Sequence, residues 1–236
     1  MQERTGIPVI ALLSGSYTTP EGRAEHYSSY WLVGKIMDRE ERAEELIAYI
    51  EAPLADLDRR TRDIPEHEQK TAYIGGLSYG GSHGLMSTQS AYPPFAWVHV
   101  ENIANGSVIQ TTDFSKESLI YANPDFIFID AGTLGVTDEI GVFEDIRSPV
   151  FADVKAVRNG DVYVTLPYNY RSSNLDTILA DAYFVGKTVY PERFVDINPK
   201  AKADEIYTMF VGVPVFDRIN ANCDNIGFER LAVFGA

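Results

Sequence analysis

An α/β fold with a mainly parallel sheet is predicted by two patterns. Short apolar runs, at 70–76, 123–130 and 161–166, end in glycine, aspartate or a turn, and helical spacing fills the stretches between and after them. A third observation gives the sheet something to bury: 45% of the 236 residues are hydrophobic, with aromatics spread from end to end. A disordered chain is excluded, and the expected unit is a three-layer αβα lobe.

Taken in order, Gly6-Ile-Pro-Val-Ile-Ala-Leu-Leu13 reads as a strand closing a βα unit, with Pro8 near its start. After a polar loop, the residues from Ala24 to Arg62 carry helical spacing, interrupted only by Pro53 and divided at Met37-Asp-Arg-Glu-Glu-Arg. Asp38 is placed to cap a second helix, over Arg39 to Arg62, whose first turn is rich in Glu. At 1.5 Å per residue that helix is about 35 Å long, a length suited to a connector between lobes. Lys70-Thr-Ala-Tyr-Ile-Gly-Gly76 is the next strand. Asn123-Pro-Asp-Phe-Ile-Phe-Ile-Asp130 is apolar enough to be covered on both faces, and Asp161-Val-Tyr-Val-Thr-Leu166 follows the turn Arg158-Asn-Gly-Asp. Helices are expected over Asp138–Asp145, Asn174–Val189 and Asn198–Phe210. The tail from Asn220 to Ala236 has no clear pattern.

Composition narrows the function. Acids outnumber bases 34 to 20, a formal charge of −14, which excludes nucleic acid and an anionic membrane surface as partners. A single cysteine, Cys223, excludes an internal disulfide and a multi-cysteine metal site. No apolar run approaches the roughly 18 residues of a membrane span, and Met1-Gln-Glu-Arg-Thr-Gly lacks the order of a signal peptide.

The segment richest in chemistry is Gly75-Gly-Leu-Ser-Tyr-Gly-Gly-Ser-His-Gly84, directly after a predicted strand, where open α/β sheets place their ligand crevice. Its glycines are not spaced as G-x-G-x-x-G and no Gly-Lys-Ser/Thr follows, so it is not a nucleotide loop. Gly80-Gly-Ser-His-Gly84 does match the nucleophile elbow of α/β hydrolases, with Ser82 as nucleophile. Against that, Ser87-Thr-Gln-Ser-Ala-Tyr-Pro-Pro94 is turn-rich where a helix should follow, and no histidine occurs after His99 to complete the triad. The four histidines show no ligand spacing. His83, among Tyr79, Ser82 and Tyr92, suits donation to an anionic ligand or completion of a bound metal's coordination sphere. Leu166-Pro-Tyr-Asn-Tyr-Arg-Ser-Ser-Asn174 follows a later strand and opens at the same sheet edge. There Arg171 offers a planar fork of donors, and Tyr168 and Tyr170, with Asn169 between them, offer flat amphipathic faces for a chelate or macrocycle. The plain alternative leaves Arg171 solvated and Ser172 or Ser173 capping the next helix.

From Pro149 onward the chain resembles the solute-binding proteins of ATP-driven importers for ferric siderophores, haem and cobalamin. The resemblance is carried by Val154-Lys-Ala-Val-Arg-Asn-Gly-Asp-Val-Tyr-Val164, Leu179-Ala-Asp-Ala-Tyr-Phe-Val-Gly-Lys187, Tyr190-Pro-Glu-Arg-Phe194 and Ala203-Asp-Glu-Ile-Tyr-Thr-Met-Phe-Val-Gly212. Asn123–Asp130 and Gly6–Ile10 are similar to two of the family's strands. The resemblance implies two α/β lobes joined by one long helix, ligand held at strand-end loops between them, and docking on a membrane permease through surface acids. Glu144 is the candidate here, with Glu139 close behind. Family members carry further sequence ahead of the position matching Gly6, including an export signal. The resemblance therefore implies that this chain supplies a remnant of the first lobe (1–38), the inter-lobe helix (39–64), the second lobe (65–219) and a tail (220–236), and that the full-length form is extracytoplasmic. Apolar surface on helices 24–62 would then be exposed, which predicts a homodimer formed through it.

The expected function is capture of a metal chelate without catalysis or cofactor, with Tyr79, Ser82, His83, Tyr92, Tyr168, Asn169, Tyr170 and Arg171 as ligand contacts. One alternative keeps the fold and binds a molybdate- or tungstate-type oxyanion on backbone N–H groups of the glycine loop. Another class is a serine hydrolase using Ser82, and a third a docking module without a ligand.

Overall fold

The computed structural model describes residues 2–13, 15–78, 84–106, 114–135, 141–169 and 173–234, in two compact units, 1–52 and 53–236. The first contains α1 (Gln2–Thr5), α2 (Pro20–Met37) and the first half of α3 (Glu40–Thr61). Thr19 starts α2 by accepting the Gly22 N–H at 3.1 Å, with Pro20 at the first helical position. Asp38 does not cap α3. It ends α2 in a left-handed conformation, φ 54°, its own N–H returned to Gly34 and Lys35. The short reversal between the helices demands a residue that tolerates positive φ, and Asp does so more readily than its neighbours.

Gly6–Leu13 is not a strand. Among the described residues no strand pairs with it, and Ile7, Val9, Ile10, Leu12 and Leu13 are 51–65% exposed. A strand's backbone N–H and C=O groups need a neighbouring strand, which an apolar pattern alone does not supply. On α2, Leu32, Val33, Ile36 and Met37 are also exposed.

The second unit is built on four parallel strands, β1 (Thr71–Gly75), β2 (Glu101–Asn102), β3 (Phe126–Asp130) and β4 (Val162–Thr165), in the order β2-β1-β3-β4. Three of them are the predicted strands, and β2, two residues long, carries no apolar signature. Its helices are α4 (Pro93–Trp97), α5 (Lys116–Ala122), α6 (Val142–Ile146), α7 (Lys155–Asn159), α8 (Leu175–Val189), α9 (Pro199–Val211) and α10 (Phe216–Ala221). The double proline does not end structure; it occupies the first turn of α4, where missing N–H groups cost nothing.

Alternation along the strands makes the layers. Tyr73, Ile127, Ile129 and Val162 face a core closed by Leu119, Ile146, Phe151 and Val157 from α5, α6, the turn at Pro149–Phe151 and α7. Phe128 and Tyr163 face the other way, each edge-on to Phe184 of α8 at 6.2 Å between ring centres, and Phe128 also meets Phe95 of α4 at 5.5 Å. The sheet is thus covered on both faces, the three-layer α/β arrangement expected. The C-terminal half of α3 is fastened within this unit: Arg60 donates to both oxygens of Asp196 at 2.6 and 2.7 Å, and Asp56 accepts from Tyr183 at 3.0 Å.

The tail is ordered by the sheet. Phe228 and Leu231 donate to the Val164 and Val162 carbonyls at 2.8 Å, Val164 donates to Glu229 at 3.0 Å, and Arg230 forms an antiparallel bridge with Tyr163. It covers the outer edge of β4, and Phe228 stacks on Phe184 at 4.4 Å.

Candidate functional site

β1, β3 and β4 end side by side at Gly75, Asp130 and Thr165, so the segments leaving them open at one sheet edge. Gly76 makes the turn out of β1 with φ +77°. A Cβ there would stand 2.6 Å from Thr133 Cγ2 and 3.1 Å from Val142 Cγ2, so the exits of β1 and β3 approach more closely than any side chain allows.

Two hydrogen bonds join the three exits at Ser78. Its hydroxyl donates to the Gly132 carbonyl at 3.4 Å, and its own carbonyl accepts from Asn169 Nδ2 at 3.0 Å. Ser78 is therefore tied both to the 3-10 turn after β3 (Ala131–Gly135) and to the segment after β4. Beyond the glycine run the chain is pinned again. The Leu85 carbonyl accepts from the buried Tyr73 hydroxyl at 2.9 Å, and burial holds that hydroxyl above the ordinary tyrosine range. The Leu85 N–H donates to Asp145 at 3.4 Å, and Asp145 is paired with Lys116 at 3.1 Å. Leu77 and Ser87 close the base of the loop, through Leu77 N–H to Ser87 carbonyl at 3.2 Å and Ser87 hydroxyl to Leu77 carbonyl at 2.6 Å.

Of the predicted contacts, Tyr79, Ser82, His83, Tyr170 and Arg171 lie outside the described residues, as does Glu139. Asn169 is at the edge, half-buried, joining two loops as above. Tyr92 and Tyr168 do not present flat faces to a ligand. They are 1% and 2% exposed and pack on each other with ring centres 5.8 Å apart, Tyr92 also edge-on to Phe95 at 4.8 Å. Their rings carry too much apolar area to stay at a wet edge once α4 offers a place beneath it. The Tyr168 hydroxyl reaches Gln89, and its carbonyl accepts from Asn174 N at 2.9 Å and Nδ2 at 3.1 Å. These tyrosines support the wall from behind. Asn174, rather than Ser173, occupies the cap position of α8, and Ser172 lies outside the described residues. Glu144 is exposed in the first turn of α6.

Sequence reasoning missed Ser78, Gln89, Gly132, Thr133 and Asp145. The signal for the turn after β3 was present: Ala131-Gly-Thr follows a strand just as Gly75-Gly does. Asp145 follows Glu144, 60 residues beyond Leu85, and only the fold brings the two together.

Among the described residues the edge presents backbone carbonyls, N–H groups, small hydroxyls and an amide, groups suited to hydrogen bonding. His67 and His99 precede β1 and β2, at the opposite end of the strands, so neither reaches this edge. Among the described residues no group of three or more His, Cys, Asp or Glu is placed to hold a metal ion, and no helix is long and apolar enough to cross a membrane.

A family model described as periplasmic binding protein matches residues 2–168, more than half of the sequence. The chain belongs to the periplasmic binding protein family. No curated protein matches the sequence significantly. Among solved structures the chain is similar to an ABC transporter solute-binding protein from Sulfurospirillum deleyianum (TM-score 0.65, 20% identity, 86% of this chain and 62% of that one). It is also similar to the molybdate periplasmic binding protein MolA of Haemophilus influenzae, bound to molybdate (0.64, 16%, 90% and 68%), and to the periplasmic haem-binding protein HutB of Vibrio cholerae (0.60, 20%, 80% and 70%). At these identities the likeness is one of fold. The chain spans 62–70% of the length of these three structures.

Proposed function

We propose that this chain carries one wall of the ligand cleft of an extracytoplasmic solute-binding protein that captures a metal chelate (a ferric siderophore, haem or corrinoid) and presents it to the membrane permease of an ABC importer, without catalysis. One observation carries the reading. In a member of the periplasmic binding protein family, three strand exits are fastened together at Ser78 on a single sheet edge, and the glycine loop and the Leu166–Asn174 loop both spring from that point. The donors borne by those loops, Tyr79, Ser82, His83, Asn169, Tyr170 and Arg171, are of the type that grips a chelate's periphery. Tyr92 and Tyr168 contribute from beneath. Glu144, exposed on α6, is the docking candidate for a permease arginine.

A second reading keeps the site and exchanges the ligand for a molybdate- or tungstate-type oxyanion. The likeness to MolA favours it, as does the density of small donors around Ser82. Hydrolysis by Ser82 is disfavoured because the triad order Ser…Asp/Glu…His needs a late histidine and none follows His99. Thermal-shift titration of the chain with a ferric catecholate, haemin, cyanocobalamin, molybdate and tungstate tests both readings. A ligand at a hundredfold excess over its Kd stabilises by about 2.7 kcal/mol. A shift with a chelate supports the first reading, a shift with the oxyanions alone selects the second, and no shift with any of the five removes both.

A further inference from the structure

Directly beneath the joined loops lie two carboxyl groups that form no ion pair among the described residues. Asp130, at the end of β3, is 1% exposed; Asp181, on α8, is 0% exposed. Each spends one side of its carboxyl on the loops. The Gly132 N–H donates to Asp130 Oδ1 at 2.7 Å and the Tyr168 N–H donates to the same carboxyl, while the Leu166 N–H donates to Asp181 Oδ1 at 3.0 Å. The second oxygen of each, Oδ2, is buried without a hydrogen-bond partner among the described residues. Among the described residues the titratable groups that interact with the pair are Cys223, after α10, and Tyr207, on α9; burial holds the thiol and the hydroxyl above their ordinary ranges, with both acids adding to it at Cys223 and Asp181 at Tyr207. None of them is a cation.

Two carboxylates in a dry interior without a cation cannot both stay charged, because burial penalises each charge and each charge penalises the other. We propose that Asp130 and Asp181 are the positioning residues of the cleft wall: a neighbouring buried pair that retains a proton at neutral pH and, through the Gly132, Leu166 and Tyr168 amides, sets the path of the segment carrying Asn169. The proposal rests on reading this edge as the ligand site. Burial pushes the Asp130 carboxyl up to about 7 against the two N–H bonds it accepts, and pushes Asp181 well above the usual carboxylate range, with neighbouring Asp130 adding to it. Both folded-state values exceed the unfolded one, so the protonated pair favours the fold. That stabilisation is complete below the unfolded carboxylate range, and the Asp130 share is lost as pH rises through about 7.

Amide NMR of the chain from pH 4 to 9 tests this without a ligand. In the wild type, the Gly132 and Tyr168 resonances should shift together with a midpoint far above that of an exposed carboxylate. In Asp130→Asn, which keeps shape and acceptor oxygen, the Leu166 resonance, whose N–H donates to Asp181, should titrate at least one pH unit lower than in the wild type because the neighbouring charge is gone. Flat Gly132 and Tyr168 resonances in the wild type, or a Leu166 titration left unmoved by Asp130→Asn, overturn the proposal. Should that variant not fold, the wild-type infrared spectrum at pH 6 decides: a protonated carboxylic acid band supports the pair, and its absence overturns it. Titration of molybdate and haemin is run alongside. A titrating pair with neither probe bound leaves the positioning pair standing and counts against the cleft, whereas binding with flat amides does the reverse.

Discussion

Gly76→Ala probes how closely the strand exits must approach. The methyl group would be added at φ +77°, where an L side chain costs about 1–2 kcal/mol through its Cβ alone. It would also stand 2.6 Å from Thr133 Cγ2 and 3.1 Å from Val142 Cγ2, whereas carbon atoms in contact prefer about 3.5–4.0 Å. Relieving such a clash in a packed interior costs a further 1–3 kcal/mol or so, giving about 2–5 kcal/mol in all. The two parts separate in a double-mutant cycle, because Thr133→Ser removes the nearer methyl and leaves the backbone penalty untouched. Urea unfolding followed by far-UV circular dichroism should therefore show Gly76→Ala costing about 1–2 kcal/mol less in the Thr133→Ser background than in the wild type. A cost under about 1 kcal/mol in the wild type, or the same cost in both backgrounds, would refute the claim that the exits of β1 and β3 are in contact through a missing side chain.

Phe184→Ala should destabilise the second unit by about 3–5 kcal/mol, read as a fall in melting temperature, since the ring stacks on Phe228 and meets Phe128 and Tyr163 edge-on; a change under about 1 kcal/mol would count against this packing. Asn169→Ala removes the donor to the Ser78 carbonyl and should weaken whichever ligand the thermal-shift panel identifies while lowering stability by only about 1 kcal/mol; unchanged affinity would place the ligand elsewhere. Exposed Leu32, Val33, Ile36 and Met37 on α2, with Ile7 to Leu13, predict self-association, and light scattering that shows a monodisperse monomer at all concentrations would contradict it.

Much of the fold is legible in the sequence because β3, β1 and β4 are short apolar runs bounded by turn residues, and α8 and α9 have plain helical spacing and start signals at Asn174 and Asn198. What misled was apolar content read without its partners. Gly6–Leu13 has a strand's composition, and no strand among the described residues pairs with it. Tyr92 and Tyr168 have a ligand-stacking surface and a better use for it under the loop. β2 was invisible because two residues cannot display a period, and the tail because it joins the sheet through backbone bonds that any sequence can make.

The site divides along the same line. Residue order alone places a glycine-rich loop after β1 and a Tyr/Asn/Arg loop after β4, and a parallel sheet brings both to one edge, since parallel strands all end on the same side. Residue order does not place Ser78 between Gly132 and Asn169, or Asp145 against Leu85. Nor does it bury Asp130 and Asp181 beneath those loops, each with one carboxyl oxygen unpartnered among the described residues. Those relations depend on distances between elements far apart in the chain, and only the packed tertiary structure sets them: a carboxylate's charge, partners and protonation are properties of what surrounds it, which no local stretch of sequence contains.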